Sequence, residues 1–176
     1  MPDTVYQLYG DTIASILKQR RDRLEDYASR YYSVLAERVD VVGSDKSEFF
    51  ELRRMEDNST KILLYKSNED AEKKKLLYER TFIPAETKEI RLYGLRGIDH
   101  FYVQGESKDA ILVRMIGGRG EDELTDTSRI KSWGKSNIFY DREQEDNHLG
   151  SPKETKLVLK RSLDVNEYDF EAFQYN

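Results

Sequence analysis

Two glycine-rich turns constrain this chain more than any other feature: Gly94-Leu95-Arg96-Gly97-Ile98-Asp99 and Gly117-Gly118-Arg119-Gly120-Glu121-Asp122. They begin 23 residues apart, and each joins two strand-like segments with alternating apolar residues. Lys88–Tyr93 runs into His100–Gln104 through the first turn, and Ala110–Ile116 runs into Glu123–Thr125 through the second. Between them, Gly105–Asp109 is a further turn. A chain that goes strand, turn, strand and then meets the same turn again has returned to the same edge. The expected structure is two stacked rungs of a β-helix-like coil, with both glycine corners on one side.

Gly117 to Thr125 also fits every position of Gly-Gly-x-Gly-x-Asp-x-apolar-x, the β-roll repeat, in which glycines permit left-handed backbone and Asp coordinates calcium. Gly94 to Tyr102 fits with one departure, Leu95 in place of the second glycine. Stacked strands lie about 4.8 Å apart, so Asp99 and Asp122 would face one another as like charges. A calcium ion between them would relieve that repulsion, with turn carbonyls completing its six to eight oxygens. The alternative is that each Asp accepts hydrogen bonds from the amides of its own turn and holds no metal. Asp99 and Asp122 are the candidate metal residues, calcium is the candidate ion, and no other cofactor is indicated.

Upstream the period is helical. Ile13, Ile16, Leu17, Leu24, Tyr27 and Tyr31 lie along a pattern of three- and four-residue steps, with Asp11 as N-cap. After Val39 the period shortens. Ser47–Met55 and Lys61–Ser67 form an expected β-hairpin around Glu56-Asp57-Asn58-Ser59, and Leu76–Ile83 is a strand that stops before Pro84. Asn68–Lys75 reads as a loop or short helix, and residues 127–155 as irregular loops with one strand near Ile138–Tyr140. Lys156–Leu163 is a strand, and the tail from Tyr168 to Asn176 is aromatic-rich, so it either packs on the domain or continues into a further segment. The fold class is therefore α+β: a long N-terminal helix packed on a mainly β body with a short β-helix or β-roll-like coil. The division is an arm at 1–10 and one domain at 11–176, with a helix at 11–37 and a β body at 39–176.

Composition narrows the function. The net charge of −5 argues against nucleic-acid binding, and no apolar run approaches the ~18 residues of a membrane-spanning helix. With no cysteine there is no disulfide or thiolate site. His100 and His148 are the two histidines; neither lies at zinc-ligand spacing, and they read as a surface strand residue and a loop residue. No serine sits in Gly-x-Ser-x-Gly. A hydrolase built on Asp99, His100 and Asp122 is the catalytic alternative. The basic run Lys18-Gln19-Arg20-Arg21-Asp22-Arg23 could meet phosphates or an acidic partner, but reads first as the polar face of the helix, neutralised by Asp22, Glu25 and Asp26. Tyr27, Tyr31 and Tyr32 are expected to pack the helix against a sheet.

Several ordered segments carry a resemblance. Leu17–Asp22 through Tyr31-Tyr32, Val39–Lys46, Glu79-Arg80-Thr81-Phe82, Glu89–Leu95, Ile116–Gly120, Tyr168-Asp169 and Phe173–Asn176 occur in that order across most of residues 12–176. Together the chain resembles a region in large bacterial outer-membrane proteins that connects a calcineurin-like metallophosphoesterase domain to a C-terminal surface-antigen-type β-barrel. The resemblance implies a noncatalytic linker whose partners are the phosphoesterase domain and barrel of the same chain, in the cell envelope at the outer membrane. The phosphoesterase patterns Asp-x-His and Gly-Asn-His-Glu do not occur here, and Asn147-His148 is followed by Leu149. No catalytic residue is carried over.

Overall fold

The computed structural model describes residues 3–132, 134–143, 148–150, 154–161 and 168–169. It is an α+β structure that divides into two compact units, residues 1–36 and 37–176. The first is helical: α1 spans Asp3–Asp22 and α2 spans Leu24–Glu37. Helix thus begins at Asp3, not Asp11, so the expected arm at 1–10 is helical over its described part. The break at Arg23 is slight. Its N–H bonds the carbonyls of both Gln19 and Arg20, and the Tyr27 N–H bonds the Arg23 carbonyl, so the ladder crosses the junction. The apolar stripe is exposed, with Leu24 at 64%, Tyr31 at 63% and Val34 at 70%. Tyr27 and Tyr32, expected in packing, are exposed too. No helix among the described residues is long and apolar enough to cross a membrane.

Among its described residues the second unit holds twelve strands: β1 Arg38–Val42, β2 Glu48–Arg54, β3 Thr60–Lys66, β4 Leu76–Phe82, β5 Glu89–Arg96 and β6 His100–Ser107, then β7 Leu112–Arg119, β8 Glu123–Asp126, β9 Arg129–Ile130, β10 Asn137–Arg142, β11 His148–Gly150 and β12 Thr155–Lys160. One sheet is wholly parallel, in the order β1-β5-β7-β10-β12. The other runs β11-β8-β6-β2-β3-β4, with β9 also beside β6. Apart from β3, β4 and the short β9, successive strands alternate between the sheets, so each pair forms one rung: β1 with β2, β5 with β6, β7 with β8, β10 with β11. The coil is longer than the two rungs read from the glycine turns. Glu89 pairs with Leu112 and His100 with Glu123, both steps of the 23 residues that separate the turns. Between the first two rungs the expected hairpin is inserted: β2 pairs antiparallel with β3, and β3 with β4.

Stacking in register converts strand alternation into columns of like side chains. Val41, Leu92, Met115, Phe139 and Leu157 form one apolar column in the parallel sheet. Phe50, Phe101, Leu124 and Leu149 form another in the facing sheet. The Phe50 and Phe101 rings lie 4.8 Å apart at 8°, and Phe139 meets Phe101 edge-on at 5.6 Å. Each rung alone would leave its inner face wet; stacking removes these faces from water together. Tyr168, at the start of the aromatic tail, packs edge-on against Tyr93 at 5.1 Å, and residues 170–176 lie outside the described residues.

A third column changes character along the coil. Val39, Ile90 and Val113 give way to Asn137 and Thr155, while opposite them Leu52 and Val103 give way to Asp126. All three polar groups are buried, and they satisfy one another. Asp126 accepts from Asn137 Nδ2 at 3.1 Å and from the hydroxyls of Thr155 and Ser128 at 2.5 and 2.6 Å. Arg54, 2% exposed, closes the network by donating to Asn137 Oδ1 at 2.5 Å, Thr60 Oγ1 at 2.8 Å and the Ile111 carbonyl at 2.9 Å. Burial pulls its guanidinium down to about 10, opposed by Asp126, so it stays charged at neutral pH. Arg54→Ala would strand the Asn137 and Ile111 acceptors and open a cavity. The expected loss is about 3 kcal/mol, read by urea unfolding; a loss within 0.5 kcal/mol, the range of surface substitutions, would show that the network is not structural.

Candidate functional site

The glycine corners stack as expected. Tyr93 pairs with Ile116 and Leu95 with Gly118, which sets Gly94 beside Gly117. Asp99 and Asp122, the two candidate metal residues, are brought together: the Asp99 N–H donates to Asp122 Oδ1 at 2.8 Å, across the rungs. The bond pattern repeats one rung earlier, where the Glu48 N–H donates to Asp99 Oδ1 at 2.8 Å. Glu48 was not among the candidates. Its carboxylate takes the Ser44 N–H at 2.9 Å and the Ser44 hydroxyl at 2.5 Å, which caps the first rung. All three acids are almost fully buried.

The three acids share one construction: a glycine five residues before each. Gly43 precedes Glu48, Gly94 precedes Asp99 and Gly117 precedes Asp122. The reason is volume. A Cβ on Gly94 would overlap Asp99 Oδ2 and the Gly117 carbonyl, and one on Gly43 would lie 2.7 Å from Glu48 Oε2. The glycine supplies the space into which the carboxylate folds back. In the next rung Asp141 stands at the glycine level, since Tyr140 pairs with Ile116. Its Oδ2 enters the same space from below, 2.7 Å from where a Gly117 Cβ would lie, and its Oδ1 accepts the Arg142 N–H at 2.7 Å.

Electrostatics make the corner costly. Burial first, then the neighbouring Asp122 charge, push the Asp99 carboxyl up to about 9, against the opposing pull of the Glu48 amide. Asp99 is therefore protonated at neutral pH. Its Oδ2 has no hydrogen-bond partner among the described residues. The Oδ1 atoms of Asp99 and Asp122 already face amide protons, and among the described residues no three His, Cys, Asp or Glu side chains gather as metal ligands.

The other candidates fall elsewhere. His100 is buried, not on the surface as expected, because its ring stacks on Phe49 at 6.1 Å while Nδ1 lies 3.0 Å from Glu123 Oε2. It joins Glu123 and Phe49, not the Asp99–Asp122 pair, so the constellation required for a hydrolase is not assembled around it. His148 is exposed, but its N–H bonds the Asp122 carbonyl at 3.1 Å, placing it at a strand edge instead of in a solvated loop. The basic run of α1 is exposed, and Arg21 pairs with Asp22 at 2.7 Å. Comparison with protein-family models, curated proteins and solved structures returned no match.

Two outcomes follow from the corner. Gly94→Ala has no room for its methyl, so a loss of about 3 kcal/mol and a Tm lower by roughly 10 °C are expected; an unchanged melt would mean the corner is loosely packed. Because the folded state binds the Asp99 proton more tightly than the unfolded chain, this contribution to stability is full below pH about 4 and is lost as pH rises through about 9. Asp99→Asn, which mimics the protonated acid, should flatten the fall in Tm between pH 5 and 9. Parallel curves for the two proteins would remove Asp99 as the cause.

Proposed function

We propose that the chain is a rigid, noncatalytic connecting module, the spacer between a metallophosphoesterase domain and an outer-membrane barrel in a cell-envelope protein. The observation that carries this reading is the use to which the buried polar groups are put. Glu48, Asp99 and Asp122 are fastened rung to rung, and Arg54, Asp126, Asn137 and Thr155 are fastened to one another. Groups consumed in this way add stiffness along the coil. Five strands of the parallel sheet span about 19 Å at 4.8 Å per step, a fixed length that can hold two neighbours at a set distance. The ordered resemblance of Val39–Lys46, Glu89–Leu95 and Ile116–Gly120 to the connecting region is what supports this choice of neighbours.

A calcium-binding interaction module is the second reading, favoured by the buried Asp99 Oδ2 that lacks a partner among the described residues. Calcium titration separates the two by mass action. The spacer reading expects no rise in Tm at millimolar calcium; a rise abolished by Asp122→Ala would favour the module. Catalysis is tested on the isolated chain with phosphate mono- and diesters. Turnover at the buffer rate is expected, and turnover abolished by Asp122→Ala would overturn the spacer reading. The genomic reading frame tests the context: a His/Asp metal pattern upstream and alternating strands downstream are expected, and a frame holding neither would contradict it.

A further inference from the structure

The helical unit carries an exposed seam that the spacer reading does not use. Ile13, Leu17, Leu24, Tyr27, Tyr31 and Val34 recur at alternating steps of three and four, interrupted once by Arg20 where a step of seven would otherwise arise. In heptad terms Gly10, Leu17, Leu24 and Tyr31 occupy a, while Tyr6, Ile13, Arg20, Tyr27 and Val34 occupy d. The outer b, c and f positions from Asp11 to Ser33 are polar except Tyr32. The seam runs through the junction at Arg23, where the hydrogen-bond ladder is continuous. Every apolar residue along it is exposed, from Ile13 at 39% to Val34 at 70%. A helix of this kind draws most of its stability from packing its apolar face, and three to four heptads are the length at which two such faces form a coiled coil.

We propose that this seam is a self-association surface on which two copies of the chain pair as an antiparallel coiled coil, Ile13 of each lying opposite Leu24 of the other. Charge selects this arrangement. In a parallel pair Arg20 would stack on Arg20 inside the seam. In the antiparallel register that sets Arg20 opposite Leu24, Arg21 meets Arg21 and Arg23 meets Arg23 along the flanks. One heptad away these conflicts disappear. Arg20 then lies over Leu17 instead of over a second arginine. Along the flanks Arg23 covers Ile16, Arg21 covers Ala14, and Arg30 meets the ring of Tyr9, a cation–π geometry. The same patch serves both copies, as a two-fold interface requires.

The chain has no cysteine, so introduced pairs report geometry cleanly. Sedimentation equilibrium of the intact chain should give twice 20.7 kDa, and Leu24→Asp should return it to one copy with the β circular dichroism signal unchanged. The double variant Ile13→Cys with Leu24→Cys should become a covalent dimer on oxidation, because the two sites are too far apart on one helix to bridge each other. Leu24→Cys alone should remain uncrosslinked. A single-copy mass at several hundred micromolar would overturn the proposal, as would efficient crosslinking of Leu24→Cys alone, which marks a parallel pair. A single-copy chain that co-sediments with anionic phospholipid vesicles, and ceases to do so as Leu24→Asp, would also overturn it by assigning the seam to a lipid surface.

Discussion

The β unit depends on one interaction, a hydrogen bond from the backbone amide of one corner to the buried carboxyl of the next. It joins Glu48 to Asp99 and Asp99 to Asp122 at the same 2.8 Å. A corner turns the chain away from the strand ladder, so its amide has no regular partner and would be costly to bury unpaired. The carboxyl of the following rung answers it. Because donor and acceptor sit on different rungs, the bond fixes the stacking register as well as the turn. Once the corners are in register, the apolar columns through Leu92, Met115 and Phe139 follow without further instruction.

The same device carries an electrostatic penalty that the fold contains instead of avoiding. Acids stacked one rung apart and sealed from water cannot all be ionised, and the raised value of Asp99 is the consequence. At the opposite turn of the coil the polar column takes another solution, with the buried guanidinium of Arg54 joined through Asn137 to the Asp126 carboxylate. Both clusters lie inside the coil, and both link rungs. A structure that spends its buried polar groups on register gains a defined length, which is the property a connecting element needs.

Much of this was legible in the sequence because glycine and carboxylate must appear at a fixed spacing where the corner has no room for a Cβ. Gly94–Asp99 and Gly117–Asp122 announced themselves in that way, and so did the hairpin around Glu56–Ser59. The first corner did not. Gly43-Ser44-Asp45-Lys46-Ser47-Glu48 has no inner glycine and ends in Glu, and the inserted hairpin stretches its step to the next rung from 23 residues to 51. The short strand Arg38–Val42 hid behind the end of the helical pattern. Arg54 and Asp126 could not be placed inside from sequence, since charged residues on a strand ordinarily face water. Their burial rests on partners up to 83 residues away. The burial of His100 is hidden from sequence for a related reason: its cover comes from Phe49 and Glu123, both brought to it by stacking.

Amide hydrogen exchange tests the corner bond most directly. In the intact chain the Glu48 and Asp99 amides should exchange among the slowest, although both stand at the ends of turns. In Asp122→Ala the Asp99 amide should exchange much faster while the Glu48 amide, still bonded to Asp99, stays slow. Rapid exchange at both amides in the unaltered chain, or an Asp99 amide that remains protected in Asp122→Ala, would contradict the account.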